Sequence, residues 1–247
     1  MKLKNFLSRI PRSLKACVCT VLVVLLALTY YIALGCPTLS FRQEFRRAEK
    51  AHLVGPSKII DTLNGEYIDF DKMIVGETEY GICFFGRYYN AFPYDNPFAE
   101  KQYLFSYVEK SGDVTIAAAP NVWGSTWALS GIMRYVPVYL FTDEPNSVRA
   151  EVEITVVGAY NNGTAKDRIF TEIFVGEAER SEEGFFRFGL SADDDSSLHA
   201  LHYLSSKTGG FVFNERINES LQSITAVVRL YDANGALVQE KELTVYG

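Results

Sequence analysis

Two histidines three residues apart, His199 and His202, follow three consecutive aspartates, Asp193, Asp194 and Asp195. Side chains at i and i+3 share one face of a helix, and imidazole with carboxylate is a zinc-binding set. Asp193, His199 and His202 are therefore the candidate metal ligands, and the chemistry would be metal-dependent hydrolysis at a cell surface. The pair lacks the Glu that makes HExxH a general-base motif, and the acids lack the spacing of a calcium loop. The competing reading is a capped helix over Ser196–Leu204, because acids before a helix complement its positive N-terminal end. No GxSxG elbow, Walker A loop or GxGxxG is present, so no other catalytic motif and no cofactor is implied.

Aromatic side chains make a second candidate. Eleven of the 34 lie between Tyr80 and Tyr107, centred on GRYYNAFPYDNPF at 86–98. Asn90, Pro93, Asp95, Asn96 and Pro97 read as a loop. Rings on a loop offer large contact area at small entropic cost. Tyr88, Tyr89, Phe92, Tyr94 and Phe98, with Trp123 and Trp127 as neighbours, are thus candidate ligand-binding residues for a protein or carbohydrate. The alternative is a loop whose rings fill a satellite core.

The cysteines build no disulfide framework. Cys17 and Cys19 fall inside an uncharged segment, Cys36 ends it, and Cys83 stands alone in GICFFG. Ala33-Leu34-Gly35-Cys36 resembles a bacterial lipobox, and that resemblance implies lipidation of Cys36 as an alternative anchor. Asn162-Gly163-Thr164 and Asn218-Glu219-Ser220 are sequons of use only in a eukaryotic secretory host.

These residues must be carried by elements, and charge shows how the chain divides. Five of the 24 basic groups and none of the 30 acids lie in residues 1–36, leaving 19 basic groups against 30 acids, a formal −11, in 37–247. That acidic balance argues against nucleic acid. Of the 21 residues from Ala16 to Cys36, 18 are apolar and none is charged. About 20 such residues span a bilayer's hydrocarbon layer. The expectation is a basic cytoplasmic tail (1–15), a transmembrane helix (16–36) and an exported remainder, with the lipid bilayer as first partner. The orientation follows the basic tail, although Arg42, Arg46, Arg47 and Lys50 nearly balance it.

Next comes an amphipathic juxtamembrane segment, 37–56. Ser40 and Gln43 have capping-box spacing. Phe41, Phe45, Ala48 and His52 recur on one face, Gly55 can end the helix left-handed, and Pro56 blocks its continuation. Such a helix over 41–54 would either pack on the following domain or dock a partner in a membrane complex.

Beyond residue 56 the pattern is that of strands: Lys58–Leu63, Lys72–Val75, Ile82–Phe85, Gln102–Glu109, Val114–Ala118, Tyr135–Phe141, Val148–Val157, Arg168–Val175, Phe185–Gly189, Ile224–Tyr231 and Leu237–Val245. Turns at Lys110–Asp113 and Asp232–Gly235 predict two hairpins. The fold class is mainly β: a small meander with linker over 57–134, then an antiparallel sandwich over 135–247. The C-terminal hairpin resembles the last strand pair of Ig-like or fibronectin-like modules, without their Cys…Trp…Cys pattern. The expected function is binding or scaffolding at the cell surface. Hydrolysis through His199 and His202, or an accessory role through helix 41–54, are the alternatives.

Overall fold

The computed structural model describes residues 11–33, 40–64, 72–89, 101–120, 135–160, 168–208 and 221–247. The chain divides into two units, Met1–Arg47 and Ala48–Gly247.

In the first unit, helix α1 runs from Arg12 to Ala33. Leu and Ala favour a helix, and the hydroxyls of Thr20 and Thr29 return to the carbonyls of Ala16 and Leu25 one turn back. Val18, Leu22, Val23, Leu25, Leu26 and Leu28 are all exposed, so the helix is apolar on every side. Its described side chains cover residues 16–31, about 24 Å of helix. Among the described residues no helix is long and apolar enough to cross a membrane, so the span expected over 16–36 is not met by them. Cys36 and residues 1–10 lie outside the described residues.

Helix α2 covers Phe41–Ala51. The backbone N–H of Gln43 reaches the Ser40 hydroxyl at 3.3 Å, which is the cap its spacing predicts. The left-handed residue after the helix is Leu53, with φ 58°, not Gly55. The N–H of Val54 bonds the Glu49 carbonyl at 2.8 Å, so closure comes two residues earlier than the glycine would place it. The Glu49 carboxylate, buried, then accepts from the N–H and hydroxyl of Ser57 at 2.8 and 2.5 Å.

Eleven strands follow among the described residues: β1 (Lys58–Asn64), β2 (Lys72–Glu77), β3 (Gly81–Tyr89), β4 (Lys101–Glu109), β5 (Val114–Ala118), β6 (Tyr135–Thr142), β7 (Arg149–Tyr160), β8 (Arg168–Glu179), β9 (Phe186–Ser191), β10 (Leu221–Tyr231) and β11 (Leu237–Tyr246). Helix α3 (Asp195–Thr208) lies between β9 and β10. The strands form three antiparallel sheets: I, ordered β1-β2-β3-β4; II, ordered β5-β6-β9; and III, ordered β11-β10-β7-β8. The expected mainly-β, antiparallel class is what the chain adopts.

Sheet II is covered on both faces. Val114, Ile116, Val136, Val138, Leu140, Phe186 and Phe188 meet sheet III and α3 in one core. The alternate positions Ala117, Ala119, Tyr139 and Phe141 meet sheet I in a second core. This is why β5 and β6 read as unbroken apolar runs, as strands buried on both sides do. Between sheets I and II the Tyr139 hydroxyl donates to Asp61 at 2.9 Å, and Arg187 donates to the same carboxylate at 3.3 Å.

Two expectations meet a different arrangement. β4 and β5 do not form the hairpin that Lys110–Asp113 suggests, because they belong to sheets I and II. The turn, with Gly112 at φ 69°, reverses the chain between layers. For the same reason the division expected near residue 134 runs through sheet II, whose strand β5 pairs with β6 along Val114–Ala118. The Asp232–Gly235 hairpin does form, with Gly235 at φ 78° and β10 paired to β11.

Candidate functional site

The histidine pair sits on α3, and the aspartates before it are its cap. The Asp194 carboxylate accepts from the backbone N–H of Ser197 at 2.9 Å and from the hydroxyls of Ser197 and Ser196 at 2.8 and 3.0 Å. Those bonds, led by the Ser197 N–H, hold its carboxyl below the usual range. The Ser197 hydroxyl in turn accepts from the backbone N–H groups of Asp193 and Asp194, both at 3.0 Å. Satisfying the first-turn donors is what a helix start needs.

The two imidazoles then part. His199 is half-buried, whereas His202 is buried, 4% exposed. Burial, with a smaller contribution from His199, pushes His202 down to about 4, so it is neutral at neutral pH. Among the described residues no three His, Cys, Asp or Glu side chains gather closely enough to hold a metal ion. Asp193, His199 and His202 form no such group.

Of the aromatic candidates, Tyr88 and Tyr89 continue strand β3 rather than a loop, with backbone partners Gln102 and Lys101. Consecutive aromatic residues favour extended backbone, and that carries β3 four residues past the expected end. Phe92, Tyr94, Phe98, Trp123 and Trp127 lie outside the described residues, as do Asn162 and Asn218. Cys83 is buried in β3, which fits a packed thiol.

A recess of about 80 Å³ opens among the described residues where Glu77, Lys110, Asp113, Thr142 and Asp143 meet. Lys110 bonds Glu77 there at 2.7 Å. Pockets for drug-sized ligands run from about 300 Å³ upward, so the recess suits water or a small ion pair.

The surface best suited to recognition is one that sequence reading passed over, the outward face and free edge of β8. Ile169, Ile173 and Val175 are 75%, 58% and 72% exposed. Their cross-strand neighbours on β7 are Ala159, Thr155 and Glu153. The opposite face of β8 carries Phe170 and Phe174 in the core, with Phe170 stacked on Tyr203 of α3 at 6.0 Å. The signal was present in RIFTEIFV: apolar residues occupy both faces, where β7 next to it alternates Val and Ile with Glu and Thr. Such a strip offers apolar contact and, among the described residues, backbone groups with no strand partner on one edge.

No protein-family model, no curated protein and no solved structure matches this chain.

Proposed function

We propose that this chain is a membrane-tethered module whose β-rich domain binds or scaffolds at the cell surface rather than catalysing a reaction. The observation that carries the reading is α1. It runs 22 residues along its backbone, about 33 Å, and its described apolar side chains are exposed on every side. A helix apolar all round is stable when lipid or protein covers it. The basic residues before it and the acidic domain after it support an N-terminus in the cytoplasm. A binding role draws support from the exposed strip on β8. The partition of seven strands into sheets II and III around one core, ending in the β10–β11 hairpin, supports an Ig-like or fibronectin-like sandwich that begins at β5.

The test is carbonate extraction of cells expressing the full chain, followed by protease treatment of intact cells. The chain is expected to stay in the membrane pellet and to lose the epitope of its C-terminal domain to external protease. Release into the carbonate supernatant would overturn the tether, and protection from protease would overturn the orientation.

A further inference from the structure

The edges of the two sandwich sheets are treated unequally. The outer edge of β5 is sealed by α3: the N–H of Ala118 donates to the Thr208 hydroxyl at 3.0 Å, and the Ser205 hydroxyl donates to the Ala119 carbonyl at 2.6 Å. On β11, Glu240, Lys241 and Glu242 stand in succession, and Asp113 accepts from Lys241 and from Gln239. Charges on an edge are a common guard against strand addition. Along residues 168–175 of β8 no such seal is present among the described residues, and its two charges there, Arg168 and Glu172, alternate with the outward-facing side chains. Among the described residues nothing pairs with its second edge, and its outward side chains there are Ile169, Thr171, Ile173 and Val175. Among the described residues the second edge is met only beyond this stretch, where Gly176 abuts Phe188 and Arg180 bridges to Phe186 of β9.

We infer that the free edge of β8 pairs antiparallel with β8 of a second copy, joining two four-stranded sheets into one of eight strands. The sequence of the edge fits its own reverse. A two-fold axis through Thr171 sets Thr171 opposite Thr171, and Ile169 opposite Ile173 of the second copy on both sides of the axis. β-branched and Thr–Thr cross-strand pairs are favourable. On the other face, where the Glu172 carboxylate also accepts from the Ser196 hydroxyl of its own chain, this register sets Arg168 diagonal to Glu172 of the second copy, twice, so the two charges of the stretch are complementary. Moving the axis one residue to Glu172 opposes two carboxylates. Moving it to Ile173 sets Ile169 against Glu177 and draws in Gly176, which lies against Phe188 of β9. Antiparallel pairing of residues 168–174 is thus the register that apolar contact and charge agree on. The pairing does not depend on whether α1 lies in a membrane.

The test is sedimentation velocity of the full chain in detergent, wild type beside Ile173→Lys and Ile169→Lys, with a circular dichroism spectrum of each. Wild type is expected to be dimeric, and each lysine variant to dissociate at least tenfold more readily with its spectrum unchanged. The Thr171→Cys variant under mild oxidation supplies a second readout: peptide mapping should find residue 171 linked to residue 171, and the Glu242→Cys control should give no such link. A monomeric wild type would overturn the inference. So would a dimer that survives both lysine substitutions, or one that forms no link at position 171. A monomer that takes up an extended peptide would assign the edge to a different partner.

Discussion

β8 and β11 are the two outer strands of sheet III, and each leaves one row of backbone N–H and C=O groups without a ladder partner among the described residues. β11 meets this with a run of charges and with Asp113, which holds Lys241 and Gln239 from a turn between the other sheets. β8 over residues 168–175 presents isoleucine, threonine and valine on its outward face, with Arg168 and Glu172 at the alternate positions. An exposed polar backbone costs little in water, so neither edge threatens the fold. The difference lies in what each invites: a charged edge resists a further strand, and an apolar β-branched edge accepts one. The lesson is that exposure in this sheet is of two kinds, one defended and one available.

The contrast can be broken or sharpened by substitution. The largest effect is expected on the covered face that β8 and β11 share with β7. Ile154 is wholly buried, and Ile154→Ala should cost about 2–5 kcal/mol in a urea titration, from lost transfer energy and the cavity left behind. A cost below ~1 kcal/mol would mean that this face is not close-packed.

The next effect is set by pH. His202 is buried on α3 and titrates near 4 when folded, against about 6.5 in an unfolded chain. The folded pKa is the lower one, so the folded state binds fewer protons between these values. The stabilisation is complete above about pH 6.5 and is lost as pH falls toward 4, by up to ~3 kcal/mol. His202→Gln should flatten that part of the pH–stability curve, and an unaltered slope would show that the imidazole is not buried neutral.

The corner where β8 turns toward β9 comes third. A Cβ on Gly176 would lie 2.9 Å from the Phe188 ring and 3.2 Å from its Cβ, so Gly176→Ala should destabilise by about 1–3 kcal/mol through overpacking. The tether on β11 is weaker. Asp113→Ala removes two exposed contacts and should cost less than ~1 kcal/mol, and less still in high salt. The smallest effect belongs to the bare edge: Ile173→Ala should change the stability of a single copy by under ~0.5 kcal/mol. A larger loss would show that the outward face of β8 is already covered.

Much of this architecture was legible in residue order. All eleven strands were expected near their observed bounds, because β-branched and aromatic runs broken by turn residues are a local property. The Ser40 cap and the helix after Asp194 were legible too, as short-range hydrogen bonding by Ser and Asp. The candidate sites were less so. HxxH spacing places two imidazoles on one helix but says nothing of what packs against each side of that helix, and tertiary packing is what buries His202. The turn at Lys110–Asp113 promised a hairpin, since a turn's residues fix its backbone and leave the partner of the next strand open.

The sequence by itself determined the elements, their polarity and the division between a basic, apolar N-terminus and an acidic β-rich remainder. Each of these depends on residues within a few positions of one another. The tertiary structure decided which strands share a sheet, that sheet II is covered on both faces, and which edges are guarded. Those properties arise from contacts between distant segments, such as Thr208 with Ala118 and Lys241 with Asp113. No local pattern encodes them, because the free energy that selects them is gained only when the layers meet.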